Sequence, residues 1–485
     1  MTITRSTVLA LACWLALTPA AVAAPAADDP VFPGLGSTAY DALDYHLAFD
    51  YQEADRTVAA TAVITARSRQ RLDSLDLDAL GLAVHGVTLD GRPAQFSAHD
   101  EKLTVTPARA VRAGDPFTVR VDYTADPRAK LPHTGWVPTA DGFALAGQPI
   151  SAHTVFPCND RPDDKASFSV SVTTRDGLLG VAGGLPTGSS EHDGRTTRHY
   201  RYREPMATEL LQIAVGDYVL NVHRGPDGLP LRDVVPAARL GALKPALDLI
   251  PDQIAWAEVQ LGPFPFETYG LLPVDTDAPD AFGFTGLETQ TLTLYKPGFL
   301  TQAEPLIGSH MMHELVHSWF GDSVTPRSWA DLWLNEGHAD YYGLRYRYER
   351  GWSDSPGVTS MEDRMRASYA EGDQWRHDWG PVAEPAAADL FAEQRYLGGA
   401  LVLYALHEKV GDEAFRRIER AFLARYRYGV AGTQDYIAIA SAVAGQDLSG
   451  FLSDWLHGTR TPPMPGHPDW RVQPVRPVQP ARPVS

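Results

Sequence analysis

Between Tyr40 and Val222, apolar side chains recur at every second position. Tyr45, Leu47, Phe49 and Tyr51 form one such run, and Phe117, Val119, Val121 and Tyr123 form another. A period of two gives a pleated strand one apolar face. Asp90-Gly91 and Asp193-Gly194 place turn residues between runs of this kind. Residues 40–222 are therefore expected to form an N-terminal antiparallel β-sheet domain. After Gly225-Pro226-Asp227-Gly228 the period lengthens. Glu393–Val410, Asp412–Arg425 and Gln434–Val443 carry apolar positions at helical spacing with no interior proline. Strand-like pieces remain at Tyr269–Val274 and Thr289–Tyr295. The expected fold class is α+β, with a mainly helical domain over 223–458 that keeps a small sheet. From Thr459 the chain is proline-rich, and Pro474, Pro477, Pro480 and Pro483 recur every third residue. That spacing matches polyproline II and predicts a solvated tail over 459–485.

Composition narrows the setting. Arg5, the apolar run from Val8 to Leu17 and the small residues Ala21-Val22-Ala23 have the layout of a signal peptide over 1–23. Export to the periplasm or the medium is the expectation, with 24–39 as a linker. The apolar run is too short to span a bilayer, and no later stretch approaches about 20 apolar residues. Cleavage would remove Cys13 and leave Cys158 alone, so no internal disulfide is expected. The chain has 60 acidic and 42 basic residues, a formal charge of −18. Nucleic-acid partners are disfavoured, because they require a basic surface. An acidic field mildly favours cationic ligands, although solubility alone accounts for the charge.

The chemistry centres on His313-Glu314-Leu315-Val316-His317. On a helix, residues four apart share a face, so both imidazoles can reach one zinc ion while Glu314 faces its water. Met311, Leu315, Val316 and Trp319 would anchor that helix in a core. Glu336, in Trp333-Leu334-Asn335-Glu336-Gly337, is a candidate third ligand. Pro326 is expected to end the first helix, and Ser328 with Asp331 to open the next as a capping box. Three protein ligands leave a fourth zinc position for water, as a catalytic site requires. Asp340, one turn beyond Glu336, is placed to orient a ligating histidine. His338, two positions past Glu336, faces elsewhere on the helix and is not expected to bind metal.

The run from His313 to Asp340 resembles the aminopeptidase N family of zinc metallopeptidases, the gluzincins. Phe156-Pro157-Cys158-Asn159-Asp160-Arg161-Pro162 with Asp164-Lys165-Ala166, Gly286-Leu287-Glu288-Thr289-Gln290, and Arg395-Tyr396-Leu397-Gly398-Gly399-Ala400 are similar to further landmarks of that family, in the same order. The resemblance implies a thermolysin-like catalytic domain holding one zinc ion on His313, His317 and Glu336. It further implies Glu314 as general base, Tyr396 as oxyanion donor, and Glu288 with Gln148 as the pocket for a substrate's free ammonium. The implied activity is removal of N-terminal residues from peptides; a monomer is expected. This chain departs from the common pattern at Leu287 and Thr289, at Gln148 where a glutamate is frequent, and at Gly398 and His338. The stretch after Gly458 is too short for the long C-terminal helical domain of many relatives, so a more open site is expected. A zinc endopeptidase, an inert binding scaffold and an epoxide hydrolase on the same zinc site are the competing readings.

Overall fold

The computed structural model describes residues 28–276, 283–353 and 355–476. The expected signal peptide lies outside them. No helix among the described residues is long and apolar enough to cross a membrane.

An eight-stranded sheet dominates the N-terminal region. At its middle, Thr57–Ser68 lies between Tyr40–Gln52 and Pro116–Ala125. The alternation in the sequence becomes alternation in burial. Tyr45, Leu47, Phe49 and Tyr51 point into the core beside Val58, Ala60, Ala62 and Ile64 from the middle strand. Phe117, Val119, Val121 and Tyr123 complete that face. The sheet is antiparallel with one exception: Tyr40–Gln52 runs parallel to Ser167–Arg175. A parallel pair needs a long crossover, and here two strands of a separate four-stranded sheet, Trp136–Pro138 and Phe143–Leu145, lie within it. Both predicted Asp-Gly turns join hairpins, with Asp90 at φ 49°, Gly91 at 72°, Asp193 at 50° and Gly194 at 70°. Positive φ at both central residues matches the right-handed strand twist.

The Gly225–Gly228 break is also a hairpin turn. It joins Tyr218–Arg224 to Pro230–Pro236, so strand structure runs past the Val222 boundary drawn from the sequence. Helices follow, around a three-stranded sheet of Leu271–Pro273, Thr293–Tyr295 and Gly286–Leu287. Leu272, Leu287 and Leu294 from this small sheet, with Leu292 just before its last strand, are buried in the same cluster as the β-domain core. The helices enclose a second core. Joined in this way, the two regions fix Gly286–Leu287, and with it Glu288, against both.

Two expectations about the ends need correction. Residues 28–39 are not a bare linker: Asp29 accepts from the Trp329 amide at 2.8 Å, and Val31 packs with Trp329, Leu332 and Leu390. Residues 459–476 are not a solvated tail. Met464 and Trp470 are buried, the Trp470 ring stacks on Tyr404 at 6.0 Å, and the Gln473 amide donates to Ala370 O at 2.8 Å. Apolar burial and hydrogen bonding outweigh the solvated polyproline state as far as Arg476. Pro477, Pro480 and Pro483 lie outside the described residues.

Candidate metal centre and substrate cleft

The first motif helix, Glu304–Val316, starts with Pro305 in its first turn, where a missing N–H costs nothing. Ile307, Met311, Met312, Leu315 and Val316 bury its apolar side. It ends well before Pro326. His317, with φ −56° and ψ −26°, caps it still in helical conformation, and Gly321 at φ 132° takes part in the reversal that follows. The second motif helix, Trp333–Glu349, puts Glu336 in its first turn. Ser328 and Asp331 do not make the expected capping box. Asp331 turns instead to Thr433, accepting from its amide at 2.8 Å and its hydroxyl at 2.7 Å. Trp333 Nε1 donates to the same hydroxyl at 2.8 Å and anchors the helix start.

Glycines let these elements approach. A Cβ on Gly337 would lie 2.9 Å from the Gly399 backbone, and one on Gly343 would lie 3.0 Å from Ser309 O. Gly399 belongs to the helix Leu397–Val410, and Tyr396 immediately precedes its first turn. Helix thus replaces only part of the expected Glu393–Val410. Arg395, fully buried, donates to Trp379 O and Pro381 O at 2.7 and 2.6 Å, so the chain is pinned before Tyr396.

His313 Nε2 and His317 Nε2 stand 3.3 and 3.5 Å from Glu336 Oε2. Ligand atoms on a tetrahedral zinc with bonds of about 2.1 Å lie roughly 3.4 Å apart, so the spacing fits. Each imidazole has its other nitrogen engaged. His313 Nδ1 pairs with Asp340 at 2.8 Å, and His317 Nδ1 with Phe320 O at 3.2 Å. Both Nε2 atoms are left for an ion, the orientation that outer hydrogen bonds give to metal-binding histidines. Burial alone would lower the pKa of His317, but Glu288 and Glu336 outweigh it and hold it at about 9. Burial opposes Glu336's charge, yet the two imidazoles draw its pKa to about 2. The pocket is arranged around concentrated positive charge. His338 lies apart, its Nδ1 2.7 Å from Leu334 O and its Nε2 3.1 Å from Glu419.

One cleft of about 580 Å³ is lined by His313, His317, Glu336, Glu314, Glu288, Gln148 and Tyr396. Burial raises the Glu314 pKa to about 7, His313 and His317 oppose the rise, and Glu288 and Glu336 add to it. Gly286 makes room for this carboxylate, since a Cβ there would lie 2.7 Å from Glu314 Oε1. Gln148 Nε2 donates to Glu288 Oε1 at 2.6 Å, and the same oxygen is 3.9 Å from His317 Nδ1. The Tyr396 ring stacks on His313 at 6.0 Å. Burial, with the surrounding carboxylates, lifts its pKa far above the ordinary value, so its hydroxyl stays protonated.

Sequence reasoning missed two contributors. His310 Nε2 lies 2.6 Å from Thr285 Oγ1 and 3.3 Å from Glu314 Oε1. Burial and the two neighbouring histidines depress its pKa to about 3, so it is neutral. Its place one turn before Glu314 was the available signal. Lys165 comes from the β domain, and its Nζ donates to Asp322 O at 2.6 Å and Ser323 O at 3.1 Å in the turn after His317. No helical or strand period points to that contact. Phe284 and Phe391 place partly exposed rings along the cleft.

Models of known families match most of the chain. The Peptidase M1 N-terminal domain matches residues 40–210, and the Peptidase family M1 domain matches residues 252–455. This chain belongs to peptidase family M1. The second M1 match contains every cleft residue named above except Gln148, which lies in the first. Among relatives, a probable aminopeptidase of Sulfurisphaera tokodaii is 26% identical over 79% of this chain and 49% of its own length. The leukotriene A-4 hydrolase of Xenopus laevis is 27% identical over 86% of this chain and 71% of its own. The chain spans about half the length of the first curated relatives it matches. Among solved structures, a mutant M1 zinc metallopeptidase of Deinococcus radiodurans bound to a Tyr-Ser-Ala substrate has a TM-score of 0.73 and 26% identity. The match covers 90% of this chain and 99% of that one.

Proposed function

We propose that this M1 chain is an exported, zinc-dependent aminopeptidase that releases residues from the free N-termini of peptides. The observation that carries the reading is the buried Glu288 carboxylate in the same cleft as the His313–His317–Glu336 triad. A carboxylate withheld from water binds an ammonium strongly and sets how far the chain end can enter. Gln148 orients that carboxylate by donating to Oε1.

The donor set fits zinc, which when bound supplies a Lewis acid for the scissile carbonyl and makes a water more acidic. The remaining work falls to side chains. Glu314 takes the proton from the attacking water and delivers it to the departing amine. Tyr396 donates its hydroxyl to the oxyanion. His310, neutral beside Glu314, positions that base. Asp340 holds His313 in the tautomer whose Nε2 faces the ion.

An amino-acid arylamide and its N-acetylated twin test the reading. The free amine is expected to be cleaved much faster, with activity lost to a chelator and restored by zinc. Preference for the acetylated twin would overturn the aminopeptidase assignment in favour of an endopeptidase. The export signal is tested by sequencing the N-terminus of the protein secreted by its host, where a start near residue 24 is expected and an intact Met1 would contradict it.

A further inference from the structure

We propose that Glu101, His133 and His153 form a second zinc site, in the β domain and separate from the catalytic cleft. The three residues come from different segments. Glu101 sits at the tip of the hairpin between Gln95–His99 and Lys102–Thr106, His133 in the loop before Trp136–Pro138, and His153 in the short turn Ala152–Thr154. Their ligand atoms lie within 4.8 Å of one another. His133 Nε2 is 3.5 Å from Glu101 Oε1, and His153 Nε2 is 3.6 Å from Glu101 Oε2. These separations approach the 3.3 and 3.5 Å of the catalytic triad. They are long for direct hydrogen bonds and match the spacing of atoms that share a small tetrahedral cation, roughly 3.4 Å.

The outer contacts follow the same logic as those around His313. His153 Nδ1 pairs with Asp160 Oδ2 at 2.7 Å, and Asp160 Oδ1 accepts from Thr208 at 2.7 Å. His133 Nδ1 faces Ser151 Oγ at 3.2 Å. Both imidazoles therefore turn Nε2 toward Glu101. His153 is fully buried, and its Nε2 has no hydrogen-bond partner among the described residues. An orphaned buried nitrogen aimed at a carboxylate is costly unless a cation joins them. The backbone holds the arrangement in place. Consecutive amides do this, Ala79 N donating to Glu101 O at 2.9 Å and Leu80 N to His153 O at 3.1 Å. Asp100 at φ 49° and Glu101 at φ 62° are the central residues of the hairpin turn, which fixes where the Glu101 side chain leaves the backbone.

Two imidazoles and a carboxylate select zinc over magnesium or calcium, which prefer all-oxygen shells. The Glu101 and His133 side chains are 41% and 24% exposed, so an ion can enter from solvent. Asp160 is committed to His153 and Thr208 and is not free to act as Glu314 does, so the site binds rather than hydrolyses. Its effect is a clip joining the hairpin tip to the loop of His133 and the turn Ala152–Thr154. A proton shared between imidazole and Glu101 is the competing occupant of the gap, and it takes up no metal.

The test is zinc stoichiometry on the full chain, stripped with a chelator and titrated with zinc alone against a chromophoric competitor. Wild type is expected to bind two equivalents. Glu101→Gln and His133→Ala are each expected to bind one equivalent tightly and to weaken the second at least tenfold, while zinc-restored arylamide cleavage shows that their fold is intact. His313→Ala is expected to lose the catalytic equivalent and retain the other. A single equivalent in wild type, or two undiminished equivalents in both Glu101→Gln and His133→Ala, would overturn the proposal.

Discussion

Among the described residues, two histidines and a glutamate meet twice, at similar spacing, in surroundings that share little. At His313, His317 and Glu336 the three side chains are buried in a cleft with the carboxylates of Glu314 and Glu288 and the Tyr396 phenol. At Glu101, His133 and His153 one side chain is buried, two are partly exposed, and Asp160, paired with His153, also accepts from Thr208. The contrast teaches that the donor set decides what can bind, whereas the groups around it decide whether chemistry follows. It also separates two ways of building such a set. In the helical domain, one turn of helix supplies two ligands and one helix–helix contact supplies the third. In the β domain, three loops must converge, and backbone hydrogen bonds to Ala79 and Leu80 bring two of them together.

The largest expected effect removes the contrast. Glu314→Gln leaves the triad able to hold metal but takes away the base, so kcat should fall roughly a thousandfold or more at unchanged zinc stoichiometry. Substantial remaining turnover would assign the base elsewhere. Gly286→Ala comes next: the added methyl meets Glu314 2.7 Å away and displaces it, and a misplaced base costs about a hundredfold in kcat. Metal content should again be unchanged, since no ligand moves.

The outer carboxylates sharpen the comparison. Asp340→Asn should weaken zinc at the catalytic triad by about 10–100-fold, and Asp160→Asn should do the same at the β-domain cluster, each leaving the other site alone. Competition titrations on the two variants read both constants, and crossed effects would mean that the clusters are coupled. Glu288→Ala is milder, raising KM by about tenfold through loss of a charge-assisted contact and narrowing the preference for free over acetylated amines. A pure kcat loss would remove Glu288 from the ammonium pocket.

The smallest effect is a titration. Burial raises the Glu314 pKa to about 7, and a base works only when ionised. Activity is therefore present above that pKa and lost as pH falls through it. Because a bound dication draws the value lower, the acid limb of kcat/KM belongs at or below about 7. In Glu314→Gln the residual rate should lose that limb.

How legible these regions were in the sequence follows from the same contrast. His313 and His317 share a helix face, and that period is visible in a string of letters; Glu336 follows within one helix–turn–helix unit. The strands of the large sheet were equally visible, because Tyr45 to Tyr51 and Phe117 to Tyr123 alternate without interruption. Glu288, Gln148 and Tyr396 were placed through the family resemblance, since a strand end, a loop and a helix start share no period. Glu101, His133 and His153 have neither period nor motif, and only the loops' tertiary convergence reveals them. The C-terminal stretch misled for a related reason: proline spacing pointed to a solvated helix, while Met464 and Trp470 find apolar partners that no local pattern shows.

The most direct test of the account is a time course on an unblocked peptide of about ten residues, followed by mass spectrometry with zinc present. A ladder of products shortened one residue at a time from the N-terminus, absent when the peptide is acetylated, is the predicted result. Internal fragments that form equally well from both peptides would contradict it.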